Sequence, residues 1–162
     1  MEPEIVYKKL ETNDEIIKAK ELICEYVKWL GQDLCFQGID DELSNFPDKY
    51  KEPLGAFIIA KTGENVIGCV GLRKLEDKIC EMKRLYVRDG FKGKGIGKLL
   101  TEKIIEEAGK KNYNIIRLDT LSIMEAALGI YYKLGFKKIA PYYHNPSECV
   151  IFLEKTIGRD LI

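Results

Sequence analysis

The densest chemistry in the chain lies in the run Phe91-Lys92-Gly93-Lys94-Gly95-Ile96-Gly97-Lys98. It follows an apolar stretch, Ile79–Val87, that reads as a strand. It opens a segment whose apolar residues Ile96, Leu99, Leu100, Ile104 and Ala108 recur at helical spacing. Glycine lets the backbone approach a ligand closely and adopt conformations closed to other residues. The first turn of a helix offers unpaired N–H groups and the positive end of the dipole, so an anion is favoured there. With three lysines among three glycines, the turn is suited to a phosphate or pyrophosphate. Spacing narrows the choice. A P-loop needs G-x-x-x-x-G-K followed by Ser or Thr for magnesium, whereas Gly93 to Gly97 is one residue short and Leu99 follows Lys98. The dinucleotide fingerprint is G-x-G-x-x-G in the first βαβ unit; here it is G-x-G-x-G, in mid-chain. A nucleotide-binding protein and a plain surface turn stand as weakened alternatives.

Several elements must position this turn. Ile5, Val6 and Tyr7 make an opening strand. Thr12 and Glu15 have capping-box spacing, and Ile16, Ala19, Ile23, Tyr26, Val27 and Leu30 follow at helical spacing up to Gly31. Residues 32–53 are polar and acidic, with a short helix expected around Asp40–Phe46. Leu54–Lys61, Val66–Leu72 and Ile79–Val87, joined by tight polar turns, read as an antiparallel meander. Beyond the glycine-rich helix, Ile115–Leu118 is apolar enough for a buried parallel strand. Met124–Leu134 is a helix stopped by Gly135, and Phe136–Ile139 and Cys149–Leu153 are the last strands. The order implies one mixed α/β domain over residues 1–162.

Composition excludes other classes. Of 162 residues, 46% are hydrophobic and 32% charged, and 26 Lys and Arg balance 26 Asp and Glu. A zero net charge argues against a nucleic-acid binder or a polybasic membrane-surface protein. The longest apolar run, Leu54–Ala60, is of strand length, and the start Met-Glu-Pro-Glu lacks signal-peptide character. Five scattered cysteines without a C-x-x-C pair, and the single His144, predict reduced thiols, a cytoplasmic location and no metal site. The balance hides two unequal parts. Residues 83–98 carry Lys83, Arg84, Arg88, Lys92, Lys94 and Lys98 against Asp89, an excess we expect to serve the phosphates. Residues 1–53 carry 13 acidic residues against 7 lysines. A solvated helix face is the plain reading of that deficit.

Three segments together, Arg84-Leu85-Tyr86-Val87, Lys92 to Lys98 and Tyr131-Tyr132-Lys133-Leu134-Gly135-Phe136, resemble the GNAT superfamily of acetyl-CoA-dependent N-acetyltransferases. Lys92, Gly95 and Gly97 fill its Arg/Gln-x-x-Gly-x-Gly/Ala phosphate pattern, and Tyr131, Gly135 and Phe136 its Tyr-x-x-x-Gly-Phe pattern. The resemblance covers nearly the whole chain. It implies an α/β (α+β) fold: a mostly antiparallel sheet of six to seven strands, splayed between the fourth and fifth by a bulge at Arg84–Val87, with helices on both faces.

The resemblance also implies direct transfer of acetyl from acetyl-CoA to an amine. The pyrophosphate would sit on Lys92, Gly93, Lys94, Gly95, Ile96, Gly97 and Lys98, and the pantetheine along Leu85, Tyr86 and Val87. Tyr131 occupies the position of the general acid for the leaving thiolate, and Glu81 that of a base acting directly or through water. Either residue could instead be structural. Met124 stands where many members place a cofactor-contacting Asn. Pro141-Tyr142-Tyr143-His144-Asn145-Pro146 would wall the acceptor, with His144 able to assist deprotonation. Asp119 would hold an acceptor ammonium unless it pairs with Arg117. The acceptor is expected to be a small-molecule amine, with a protein amine or a non-catalytic acyl-CoA sensor as alternatives. A homodimer is also implied.

Overall fold

The computed structural model describes residues 4–30, 39–145 and 149–158; Gly31, the stretch 32–38 with Cys35, and Pro146 lie outside them. The order is β1 (Val6–Lys9), α1 (Asn13–Leu30), α2 (Ile39–Ser44), β2 (Ala56–Thr62), β3 (Asn65–Glu76), β4 (Ile79–Val87), α3 (Ile96–Lys110), β5 (Ile115–Leu121), α4 (Glu125–Lys133), β6 (Lys137–Ile139) and β7 (Val150–Thr156). The strands form one seven-stranded sheet, β1-β2-β3-β4-β5-β7-β6. Every junction is antiparallel except β4–β5, which is parallel. The fold is therefore the mixed, mostly antiparallel α/β sheet the resemblance implies.

Alternation along β2 distributes side chains to two cores. Phe57 and Ile59 join Ala19, Leu22 and Ile23 of α1. Ala56, Ile58 and Ala60 join Leu100, Ile104 and Ala108 of α3. Helices thus cover both faces. At the start of α1 the capping box forms: Glu15 N–H donates to Thr12 Oγ1 (3.1 Å), while Thr12 and Glu11 N–H donate to Glu15 Oε1 (3.2 and 3.0 Å). Glu15 is only 2% exposed, and its other oxygen meets Lys8 and Lys61 (2.8 and 3.1 Å). Burial alone would raise its carboxyl, but these bonds outweigh it and hold it at about 2.

Three strands run past their expected ends. β3 continues through Arg73, Lys74 and Glu76, β5 to Leu121 and β7 to Thr156. A ladder is made of backbone groups, so it goes on where apolar side chains stop.

The feature that makes the site is the failure of β4 and β5 to stay paired. Their ladder holds only Ile79↔Ile115, Cys80↔Ile116 and Glu81↔Arg117, although both strands continue. In β4 the register with β3 slips between Cys69 and Gly71, and Arg84 takes φ +61°. Such a conformation is costly for a side-chain-bearing residue. This is a β-bulge, and beyond it the two strands diverge.

Candidate active site

The wedge between the diverging strands opens into a groove of about 550 Å³. Gly93 and Gly95 both take φ +81°, which turns the chain from β4 into α3, and Gly95 caps the helix. The first helical bond runs from Leu99 N–H to Gly95 C=O, so the amides before it are available to a ligand. Leu85, Tyr86, Val87, Lys92, Gly93, Gly95, Ile96, Gly97 and Lys98 all line the groove, as expected. Lys94 does not; its ammonium lies 5.7 Å from the Phe91 ring centroid. Lys92 is 3.1 Å from Asp89 and 4.3 Å above the indole of Trp29. Ile123, Met124, Ala126, Ala127 and Ile130 supply an apolar far wall from α4 and its approach. Anion-ready amides at one end and an apolar slot between splayed strands at the other fit the pyrophosphate and pantetheine of a CoA.

The cationic excess of residues 83–98 divides differently from expectation. Arg88 Nε pairs with Glu25 (3.0 Å). Lys83 and Arg84 are buried and line a second, inner cavity instead of the glycine turn. Arg84 donates to both oxygens of Glu42 of α2, at 2.9 and 3.0 Å. Burial would raise the Glu42 carboxyl, yet the guanidinium more than offsets it and lowers it. The Arg84 carbonyl accepts a bond from Cys69 Sγ at 3.2 Å, and burial pushes that thiol up to about 12. The bulge is thus gripped at its side chain by α2 and at its backbone by β3. Of the acidic N-terminal third, Glu15 and Glu42 are buried in such internal pairs, while Glu11, Asp14, Glu21, Asp40, Asp41 and Asp48 are exposed, as a solvated face requires.

The inner cavity, about 60 Å³, is lined by Tyr26 and Leu30 of α1, Met82–Leu85 of β4, Leu118–Leu121 of β5, Met124, Tyr131, Asn145 and Val150. Leu85 and Met124 line both spaces, so groove and cavity meet there. Tyr131 is 4% exposed and packs edge-on against Phe136, with ring centroids 5.6 Å apart. Burial first, then Tyr26 and Asp119, holds its phenol above the ordinary tyrosine range. Tyr26 is itself pushed up to about 12 by burial. Met124, in the position of the usual Asn, accepts a weak contact from Thr120 Oγ1 at 3.6 Å and contributes only apolar surface to the groove.

The remaining expected residues sort into those at the cavity and those behind it. Asp119 lines it; its Oδ2 accepts from Tyr143 OH at 2.6 Å, and Asn145 donates to the same hydroxyl at 3.2 Å. Asp119 does not pair with Arg117, which reaches Glu154 and Glu76. Glu81 lies where β4 and β5 are still paired and does not line the cavity. Its oxygens accept from Arg73 Nε (2.8 Å) and Tyr142 OH (2.7 Å). Those bonds conflict with its expected work as a direct base. Tyr142 and Tyr143 pack on Phe152, with centroids 5.2 and 5.1 Å away, and of the two only Tyr143 holds a carboxylate that lines the cavity, Asp119. His144 is exposed and lines neither space, so Asn145 and the Tyr143-bound Asp119 reach the cavity while His144 does not.

Residues not expected at the site are Tyr26, Leu30 and Trp29 at the end of α1. Tyr26 and Leu30 read only as part of the apolar face of an amphipathic helix, and their convergence on β4 depends on how α1 crosses the sheet.

Residues 23–136 match the acetyltransferase (GNAT) family. The chain is 40% identical over 142 residues to an N-acetyltransferase of Schizosaccharomyces pombe, covering 86% of this chain and 87% of that protein. It is 34% identical over 105 residues to the human N-acetylaspartate synthetase, covering 64% of this chain but only 35% of that protein. Among solved structures, a GNAT acetyltransferase of Staphylococcus aureus superposes with a TM-score of 0.79 at 23% identity, covering 96% of this chain and all of that one. An acetyltransferase of Bacillus subtilis solved with CoA superposes at 0.66 and 22% identity, covering 94% and 99%. The chain belongs to the GNAT acetyltransferase family and is an acyltransferase. No helix among the described residues is long and apolar enough to cross a membrane.

Proposed function

We propose that this chain transfers the acetyl group of acetyl-CoA directly to the amine of a small acceptor. The observation that carries the reading is the meeting of groove and cavity at Leu85 and Met124, with the Tyr131 phenol on the cavity side. Bound there, acetyl-CoA would supply an activated thioester. The amides from Gly93 to Lys98 would bind its phosphates, and the unpaired edge of β4 beyond the bulge would orient its arm. Backbone N–H groups at that edge suit a developing oxyanion. Tyr131 Oη keeps its proton across the working pH range and would give it to the departing thiolate. Asp119 is the carboxylate lining the cavity and replaces Glu81 as the group nearest an amine's departing proton. Glu81 would position Tyr142 and the loop it belongs to.

The small cavity favours a small molecule over a protein lysine. The odd, scattered set of five cysteines supports a reducing, cytoplasmic setting. Incubation with acetyl-CoA and a mixed pool of amine metabolites, read by mass spectrometry, should yield one or a few products heavier by an acetyl group. Tight acetyl-CoA binding with no acetylated product would leave an acyl-CoA-binding sensor instead.

A further inference from the structure

Lys83 is a buried cation for which the described residues supply ion-pair partners but no acceptor at normal hydrogen-bond distance. Its side chain is 8% exposed, and it lines the inner cavity. The nearest carboxylate oxygens are Asp119 Oδ1 at 3.5 Å and Glu81 Oε1 at 3.9 Å. Both lie beyond a normal charge-assisted hydrogen bond. Glu81 already takes Arg73 and Tyr142, and Asp119 Oδ2 takes Tyr143. The neighbouring Arg84 differs, having Glu42 in a two-point grip. A desolvated ammonium is costly unless it is hydrogen-bonded as well as paired. At Lys83 that bonding is left to whatever enters the cavity.

Within the same small space the cavity therefore presents a cation with donors to spare and, 3.5 Å away, a carboxylate. Resting on the acetyltransferase reading above, we infer that the acceptor is a small amino carboxylate: its carboxylate meets Lys83 and its amine meets Asp119. A simple amine or polyamine brings no close acceptor for the Lys83 ammonium and competes with it for Asp119. A peptide N-terminus has an amide where the carboxylate should be, and a chain too long for a space of about 60 Å³.

The test compares matched acceptors at saturating acetyl-CoA by thiol release: L-alanine and L-aspartate against alaninamide, ethylamine, spermidine and a short peptide. The amino acids should be preferred in kcat/KM by about tenfold or more over their uncharged counterparts, the scale set by one charge-assisted hydrogen bond. Lys83→Met should erase most of that preference by raising KM for the amino acids, with the acetyl-CoA dissociation constant unchanged; Lys83→Arg should keep part of it. A wild-type enzyme that prefers alaninamide, ethylamine, spermidine or the peptide overturns the inference while leaving the acetyltransferase reading intact. So does a Lys83→Met enzyme that binds acetyl-CoA normally and keeps the preference. If Lys83→Met does not bind acetyl-CoA, the wild-type preference decides alone. Transfer to none of these acceptors or to any amine of the mixed pool would bring down the acetyltransferase reading, and this inference with it.

Discussion

Along the groove, the wall near the glycine turn is largely backbone from one contiguous stretch: the end of β4, the turn at Gly93 and Gly95, and the first turn of α3. A short step back along β4, at Lys83, the wall becomes side chains drawn from α1, β4, β5, α4 and the Asn145 loop. On the proposed function, the difference follows from what each space would handle. A pyrophosphate is recognised by N–H groups that any sequence carries, provided the φ angles are right. An acceptor must be told apart from other amines, which takes placed charges and shape. Recognition by backbone is therefore compact in sequence, and recognition by side chains is dispersed.

Substitutions should separate the two regions. The largest effect is expected at their junction: Tyr131→Phe keeps the packing on Phe136 but removes the acid, and should lower kcat by about 10²-fold or more with acetyl-CoA affinity unchanged by calorimetry. Because the Tyr131 pKa is raised, its protonated form is fully present below the ordinary tyrosine range and persists above it. The wild-type rate should not fall between pH 8 and 10 from loss of this acid. An equal loss of cofactor affinity would mean that Tyr131 belongs to the groove as much as to the chemistry.

Next is Glu42→Ala, which leaves the Arg84 guanidinium buried without its main partner and should cost about 3 kcal/mol of stability in urea unfolding. Gly95→Ala acts on the other region. A side chain at φ +81° costs roughly 1–2 kcal/mol, so acetyl-CoA should bind about tenfold more weakly, with acceptor preference intact. If acceptor preference changed instead, groove and cavity would not be separable.

The smallest effect lies outside both. The Glu15 carboxyl is depressed in the folded state, so its stabilisation is present above the unfolded-state pKa of about 4.3 and is lost as pH falls towards 2. Glu15→Gln should flatten acid unfolding in that window while leaving catalysis alone.

The same division explains what the sequence made legible. The Thr12–Glu15 box, the glycine turn and Tyr131 are local patterns, each complete within a few residues, and each appears where its spacing places it. Lys83 and Arg84 lie a few residues before the glycine turn in sequence, and charge alone groups them with it. The bulge at Arg84 and the burial of Glu42 against it redirect both to the inner cavity, and neither is written in spacing. Likewise Glu81 sits at the right distance from Leu85 for a base, but Arg73 and Tyr142, contributed by β3 and a distant loop, take its oxygens. The strand extensions are not legible because polar residues such as Arg73, Lys74 and Glu76 carry no apolar signal.

Trp29 is the one tryptophan in the chain, and it stands at the rim of the groove with the Lys92 ammonium 4.3 Å above its ring. That placement makes the protein its own optical probe. When a pyrophosphate draws Lys92 towards the glycine turn, the indole loses a positive charge from its face, and its emission should shift with the fraction of sites filled. Cofactor arrival can thus be followed in real time without a label and before any acceptor is known.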